Sequence, residues 1–273
     1  VRRRDGGRQR GTHPASGAEV EIVSDACVTF PLSAAQRRLW FLEQLNAGSA
    51  LYNTGRIIEL DGELDHDALG RALDALAARH ESLRTTFSEI EGEAVQTIAP
   101  TGALPLRFAD LHELPSAARD TEADALCRAE LDRPFDLAGG PLVRALLLRL
   151  DDERHRLVVT LHHIITDGWS NEILVRDLAG LYEAAATGRP PELPELAIQY
   201  VDYSEWQRSQ SGSADWTDDL AYWLERLTGA PDQIDLATDR PRAARTGAGA
   251  VVSLRLDPDL ERRVDALCQR EGA

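Results

Sequence analysis

The run Leu157-Val158-Val159-Thr160-Leu161, continued by His162-His163-Ile164-Ile165-Thr166-Asp167-Gly168-Trp169-Ser170, constrains this chain more than any other stretch. Five apolar or β-branched residues in a row read as a buried strand, and from Ser170 onward the apolar positions follow the helical period. Two histidines therefore stand at a strand-to-loop junction. A side chain at such a place is held by the strand yet can face a cleft. Acyl transfer asks for that arrangement, because a base must be aimed at a nucleophile with little freedom to wander. Neighbours on a strand point to opposite faces, so the two histidines are not equivalent. The plainer alternative is a histidine pair closing a core strand, with Asp167 merely capping the next helix.

The flanking pattern is mixed. Ser33-Ala34-Ala35-Gln36 has the form of a capping box, and Leu39, Leu42 and Leu45 behind it mark a helical stripe with Trp40 and Phe41 beside it. A strand is expected from Arg56 to Leu60, then a turn at Asp61-Gly62. Asp65 caps a helix that buries Leu69, Ala72, Leu73 and Leu76. Leu83 to Phe87 and Ala94 to Ile98 read as strands joined near Glu91-Gly92. A helix from Ser116 to Leu131 stops before Pro134, and Leu142 to Leu150 pairs with His155 to Leu161 across Asp151-Asp152-Glu153. Ile173, Leu174, Leu178 and Leu181 give the stripe of the helix after the histidines. Strands drawn from distant parts of the chain, interleaved with helices, predict an α+β sandwich.

Gly188-Arg189-Pro190-Pro191 is a strong breaker and the expected lobe boundary. Residues 1–26, rich in glycine, arginine and small polar residues without periodicity, are expected to be a flexible basic arm. Residues 27–188 form the first lobe, and 189–273 a bridge and the beginning of a second. There Asp218 to Leu227 reads as a helix, Val251 to Leu256 as a strand, and Pro258 toward Cys268 as another helix.

Composition narrows the function. A formal charge of −16 with every cation an arginine lacks the clustered basic face that nucleic acid requires. No apolar run reaches the ~20 residues of a membrane helix. Cys27, Cys127 and Cys268 are odd in number and widely separated, fitting neither a disulfide framework nor a metal-ligand spacing, so a cytoplasmic location is expected.

Four motifs stand in order. Ser33 to Leu42 resembles SxAQxRLWxL, Arg79 to Phe87 resembles RHExLRTxF with every fixed position present, His162 to Gly168 matches HHxxxDG, and Tyr200 to Gln207 resembles YxDFAVWQ, with Tyr203 for phenylalanine and Ser204-Glu205 for alanine-valine. In that combination the chain resembles the condensation domains of nonribosomal peptide synthetases, within the chloramphenicol-acetyltransferase-like HHxxxDG superfamily. The resemblance implies a two-layer α+β sandwich with a mixed sheet, here with the second lobe incomplete. It implies amide formation, in which a carrier-bound aminoacyl α-amine attacks an upstream carrier-bound acyl or peptidyl thioester. Donor and acceptor peptidyl carrier proteins and a neighbouring adenylation domain are the implied partners. No cofactor is bound by the domain itself, since the phosphopantetheine arms arrive on the carriers, and no metal is implied.

The resemblance also assigns roles. His163 falls at the active centre, as base or as the group that positions the amine, and Gly168 beside the reacting thioester, its N–H toward a developing oxyanion. His162 is expected to support the site from below. Asp167 is expected to hold the loop through an arginine, with Arg84 favoured over Arg79. Trp169 is expected to anchor the next helix by burial, Ser170 to cap it, and Trp206 to pack the bridge against the first lobe. Heterocyclisation relatives carry an aspartate-rich motif at this place, and epimerisation relatives usually lack the glycine, so neither reaction is expected. An ester-forming HHxxxDG acyltransferase and a non-catalytic platform that docks carriers remain open alternatives. With half of the expected tunnel missing, the chain alone is expected to be inactive.

Overall fold

The computed structural model describes residues 27–272 apart from 212, 232–233, 235–236 and 238–253. The basic arm at 1–26 lies outside the described residues, as do the first three positions of the strand expected from Val251. Leu254 to Leu256 do not form a strand.

The elements run β1 (Val28–Pro31), α1 (Ala34–Leu45), β2 (Asn53–Asp61), α2 (His66–Arg79), a 3-10 turn (Glu81–Arg84), β3 (Thr85–Ile90), β4 (Glu93–Ile98) and β5 (Leu106–Asp110). They continue with α3 (Ser116–Leu131), β6 (Val143–Arg149), β7 (Arg154–His162), α4 (Gly168–Thr187), α5 (Tyr200–Gln210), α6 (Ala214–Arg226) and α7 (Pro258–Glu271). The described residues fall into two compact units, one ending at Glu225 and the other starting at Arg226.

The central sheet has the order β2-β7-β6-β5 and is mixed: β5 runs parallel to β6, and the other pairs are antiparallel. A smaller antiparallel sheet has the order β1-β4-β3. Alternation along β7 divides the core. Leu157 and Leu161 join Leu69, Leu73 and Leu76 of α2 and Leu178 and Leu181 of α4 in one apolar cluster. Val158 turns the other way, to Ala123 and Cys127 of α3 with Leu146 and Leu148 of β6. This is the expected α+β sandwich on a mixed sheet.

Local signals place several helix ends. Ser33 and Gln36 close the capping box of α1, and the Asp65 side chain accepts the Ala68 N–H at the start of α2. Gly188 ends α4 in the left-handed region, at φ 70°, where a glycine carries no Cβ penalty. The chain beyond it stays with the first unit: Leu193 packs beside Gly180, and Val201 and Ser204 of α5 are buried.

The stripe expected on α1 is corrected. Its fully buried residues are Gln36 and Glu43, whereas Leu45 is exposed. Leu39 and Trp40 pack half-buried against the apolar core, so α1 presents both apolar and polar side chains to the interior.

Candidate active site

β7 ends at His162, and its register against β2 places Asn53 opposite that residue. The backbone then leaves the sheet under tight control. His162 N–H donates to the Leu142 carbonyl at 2.9 Å, His163 N–H to the Tyr52 carbonyl at 2.8 Å, and Ile165 N–H back to the His162 carbonyl at 3.1 Å. Asn53, next to Tyr52, donates its side-chain amide to the carbonyls of Leu131 and Arg133 at 2.6 and 2.8 Å. The strand that grips His163 is thereby tied to the C-terminal end of α3.

The two histidines differ as alternation requires. His163 is exposed, and its Nδ1 lies 2.7 Å from the Thr166 carbonyl oxygen. A carbonyl only accepts, so Nδ1 carries the proton of the neutral ring and Nε2 presents a lone pair. His162 is buried, 2% exposed. Its Nδ1 accepts the Ile164 N–H at 3.1 Å, which puts the proton of that ring on Nε2, the opposite tautomer. The ring stands edge-on to Phe135, centroids 6.3 Å apart. Burial, with a smaller contribution from the charge of His163, pushes the His162 pKa down to about 4. His162 is therefore neutral at pH 7 and sits beneath the site.

Among the described residues Asp167 meets no arginine. It is the N-cap of α4: one carboxylate oxygen accepts the Ser170 N–H at 2.8 Å and the Ser170 hydroxyl at 2.6 Å. Those bonds hold its pKa below the usual carboxylate range. Ser170 is thus the third residue of the helix and not its cap, because the longer-reaching oxygen three residues earlier takes the N–H. Gly168 opens α4, and a Cβ there would meet no atom of the chain within 4 Å. The chain's own packing does not demand glycine at that point.

The arginines go elsewhere. Arg79 donates to Asp177 at 2.9 Å and to the Pro194 carbonyl at 2.5 Å. Arg84 donates to the Ala99 carbonyl and, at 3.4 Å, to Glu81. Arg79 still serves the site indirectly, since it bolts the end of α2 to the middle of α4. The Asp177 side chain is fully buried and also meets His80 at 3.0 Å and Arg176 at 2.9 Å. Burial works to raise its pKa, but the hydrogen bonds with Arg79, Arg176 and His80 outweigh it and hold the carboxyl low. Sequence reasoning passed over Asp177 as one more polar residue. Its place beside Leu178 on the buried stripe was the available signal.

Two aromatic expectations are also corrected. Trp169 is 80% exposed and Trp206 59% exposed, so neither acts through burial. The bridge is held instead by Tyr200, whose hydroxyl is 2.9 Å from that of Ser33, and by Gln207, which accepts the Ala34 N–H at 2.8 Å. Asn171, three residues beyond Gly168, joins Ile58, Leu73, Val159, Leu161 and Leu174 in lining a narrow apolar crevice partly open to solvent.

The HHxxxDG stretch thus builds a strand-end histidine held through Nδ1, followed by a capped helix that opens on a glycine. Over residues 28–273 the sequence matches the condensation-domain family, and the chain belongs to it. It is 45% identical over 243 residues to a component of the linear gramicidin synthase of Brevibacillus parabrevis, covering 89% of this chain and 5% of that protein. It is 45% identical over 244 residues to phosphinothricin tripeptide synthetase PhsC of Streptomyces viridochromogenes, covering 89% and 22%. Among solved structures, the first condensation domain of the CDA synthetase superposes with TM-score 0.68 at 28% identity, covering 77% of this chain and 53% of that one. The starter condensation domain of rhizomide synthetase RzmA gives 0.68 at 26% identity, covering 75% and 49%. The chain therefore spans a small part of its curated relatives and about half of each solved domain. No described helix is long and apolar enough to cross a membrane.

Proposed function

We propose that this chain carries the histidine of a condensation domain that forms amide bonds in nonribosomal peptide synthesis. One observation carries the reading: the Nδ1 proton of His163 is committed to the Thr166 carbonyl, which leaves Nε2 as an acceptor at an exposed, rigidly held position. The attacking α-amine and the donor thioester each arrive on the phosphopantetheine arm of a carrier protein, and an adenylation domain elsewhere activates the monomers. As the C–N bond forms, the amine nitrogen becomes positive and the carbonyl oxygen negative. His163 Nε2 accepts the nitrogen's proton, or holds the zwitterion by a hydrogen bond until the C–S bond breaks. The released thiolate takes up that proton. Gly168, at the positive end of α4, gives the carbonyl oxygen a backbone N–H as its charge develops.

Intact-mass spectrometry of an acceptor carrier, after mixing with a loaded donor carrier, tests this. The assay is run with the chain alone, with the chain supplied with the remaining half of a condensation domain, and with the His163→Ala form of each. Gain of the donor mass on an amine acceptor only when the remaining half is supplied, and its loss in His163→Ala, is the expected result. Transfer only to a hydroxyl acceptor would make the protein an ester-forming relative, and carrier binding without transfer would make it a docking platform.

A further inference from the structure

Two buried polar atoms near the histidine corner face each other, and among the described residues neither has a hydrogen bond to another group. Glu43 Oε2 and His162 Nε2 are each buried and unpartnered, and they lie 3.6 Å apart. Their residues are 6% and 2% exposed. A buried polar atom left alone costs about as much as a lost hydrogen bond, and two such atoms a few tenths of an ångström beyond bonding distance identify one another as partners. Chemistry sets the direction. His162 Nδ1 accepts the Ile164 N–H, so Nε2 bears the hydrogen and Glu43 Oε2 can only accept it.

We propose that Glu43 is a positioning residue for the histidine pair, its Oε2 accepting the Nε2–H of His162 and so fixing the tautomer of the ring that shapes the His163 turn. The connection is a short chain of bonds. Glu43 holds the proton on Nε2, which leaves Nδ1 free to accept the Ile164 N–H. That bond, with Ile165 N–H on the His162 carbonyl, folds the loop back so that the Thr166 carbonyl meets His163 Nδ1. The tautomer of His162 thus dictates the opposite tautomer of His163. His162 is depressed to about 4 by burial, so it is neutral at pH 7 and the contact is no ion pair; burial likewise raises Glu43. The same contact explains why a carboxylate sits on the inner side of α1. Gln36, seven residues earlier, reaches Gln96 of β4 at 3.1 Å, a second polar side chain on the inner side of α1.

The proposal gives the site read above its orientation, but its test needs no substrate. Long-range 1H–15N spectra of the imidazoles, recorded on this chain at neutral pH, report the protonated nitrogen of each ring. In the native chain His162 is expected to show Nε2–H and His163 Nδ1–H. Glu43→Gln, whose amide oxygen can still accept, keeps both patterns. Glu43→Leu loses the protected Nε2–H signal of His162, and His163 becomes a mixture of tautomers. Nδ1–H on His162 in the native chain overturns the proposal even if Glu43→Leu fails to fold, and so do unchanged spectra in a folded Glu43→Leu. Native spectra as expected, together with no transfer even when the remaining half of a condensation domain is supplied, would refute the condensation reading and leave this one standing.

Discussion

Two carboxylates ten residues apart on α4 show how differently one helix can use the same group. Asp167 lies at the exposed first turn, inside the motif, and its side-chain partner is Ser170. Asp177 lies in the buried interior, outside every motif, and is clasped by Arg79, His80 and Arg176. The first shapes the turn after the histidines, and the second adds a charged clasp to the apolar packing of α4 on α2. The exposed loop is held by local bonds that cost little to rearrange. The foundation beneath it is held by charges taken out of water, where losing one partner strands the others.

The sharpest way to break this contrast is to remove the buried carboxylate. Asp177→Ala leaves the Arg79 guanidinium half-buried without its counter-charge, and denaturant unfolding is expected to show a loss of about 3–5 kcal/mol. A loss below about 1 kcal/mol would mean that α2 and α4 hold together without the clasp.

Acid titration comes next. His162 is depressed in the fold from about 6.5 to about 4, so the folded state favours the neutral ring. Its stabilising contribution is complete above pH 6.5 and is lost as pH falls toward 4, by about 3 kcal/mol in all. His80, also lowered by burial, acts in the same direction. Glu43, raised by burial, acts in the opposite one. His162→Asn, which keeps an acceptor for the Ile164 N–H, should therefore flatten the stability profile between pH 6.5 and 4. An unchanged slope would locate the acid sensitivity elsewhere.

At the motif end, Asp167→Ala removes a helix cap, with an expected cost of about 1 kcal/mol. A cost near that of Asp177→Ala would show that Asp167 has a buried charged partner after all. Smallest of all is Trp169→Ala. At 80% exposure it should change thermal unfolding by less than about 0.5 kcal/mol, and a larger loss would mean that the ring is covered in solution.

Much of the fold was legible because its signals are local. The capping box at Ser33, the Asp65 cap, the extent of α3 and the β6–β7 hairpin each depend on residues close together in the chain. β1 and β5 went unread. β1 is four residues long and exists through pairing with β4, in which Val28 stands opposite Ile98. β5 is a short strand lying parallel to β6, a neighbour nearly forty residues away. Neither carries an alternating pattern long enough to announce itself. At the site, the placement of His163 at the end of a strand was legible, and so was the opposite facing of His162. The partners were not: the family resemblance implied an arginine for Asp167, whereas the start of α4 takes its carboxylate.

The sequence by itself determined that a buried strand ends in two unlike histidines, that a helix follows their loop, and that four spaced motifs mark a condensation-domain chain. Those features follow from side-chain alternation, capping chemistry and residue identity, which act within a few positions. Tertiary structure alone decided which charges meet. It gave Asp177 its three side-chain partners, Arg79, His80 and Arg176, and brought Glu43 of α1 to His162 at the end of β7. Burial and pairing depend on elements far apart in the chain, and no local pattern records the distance between them.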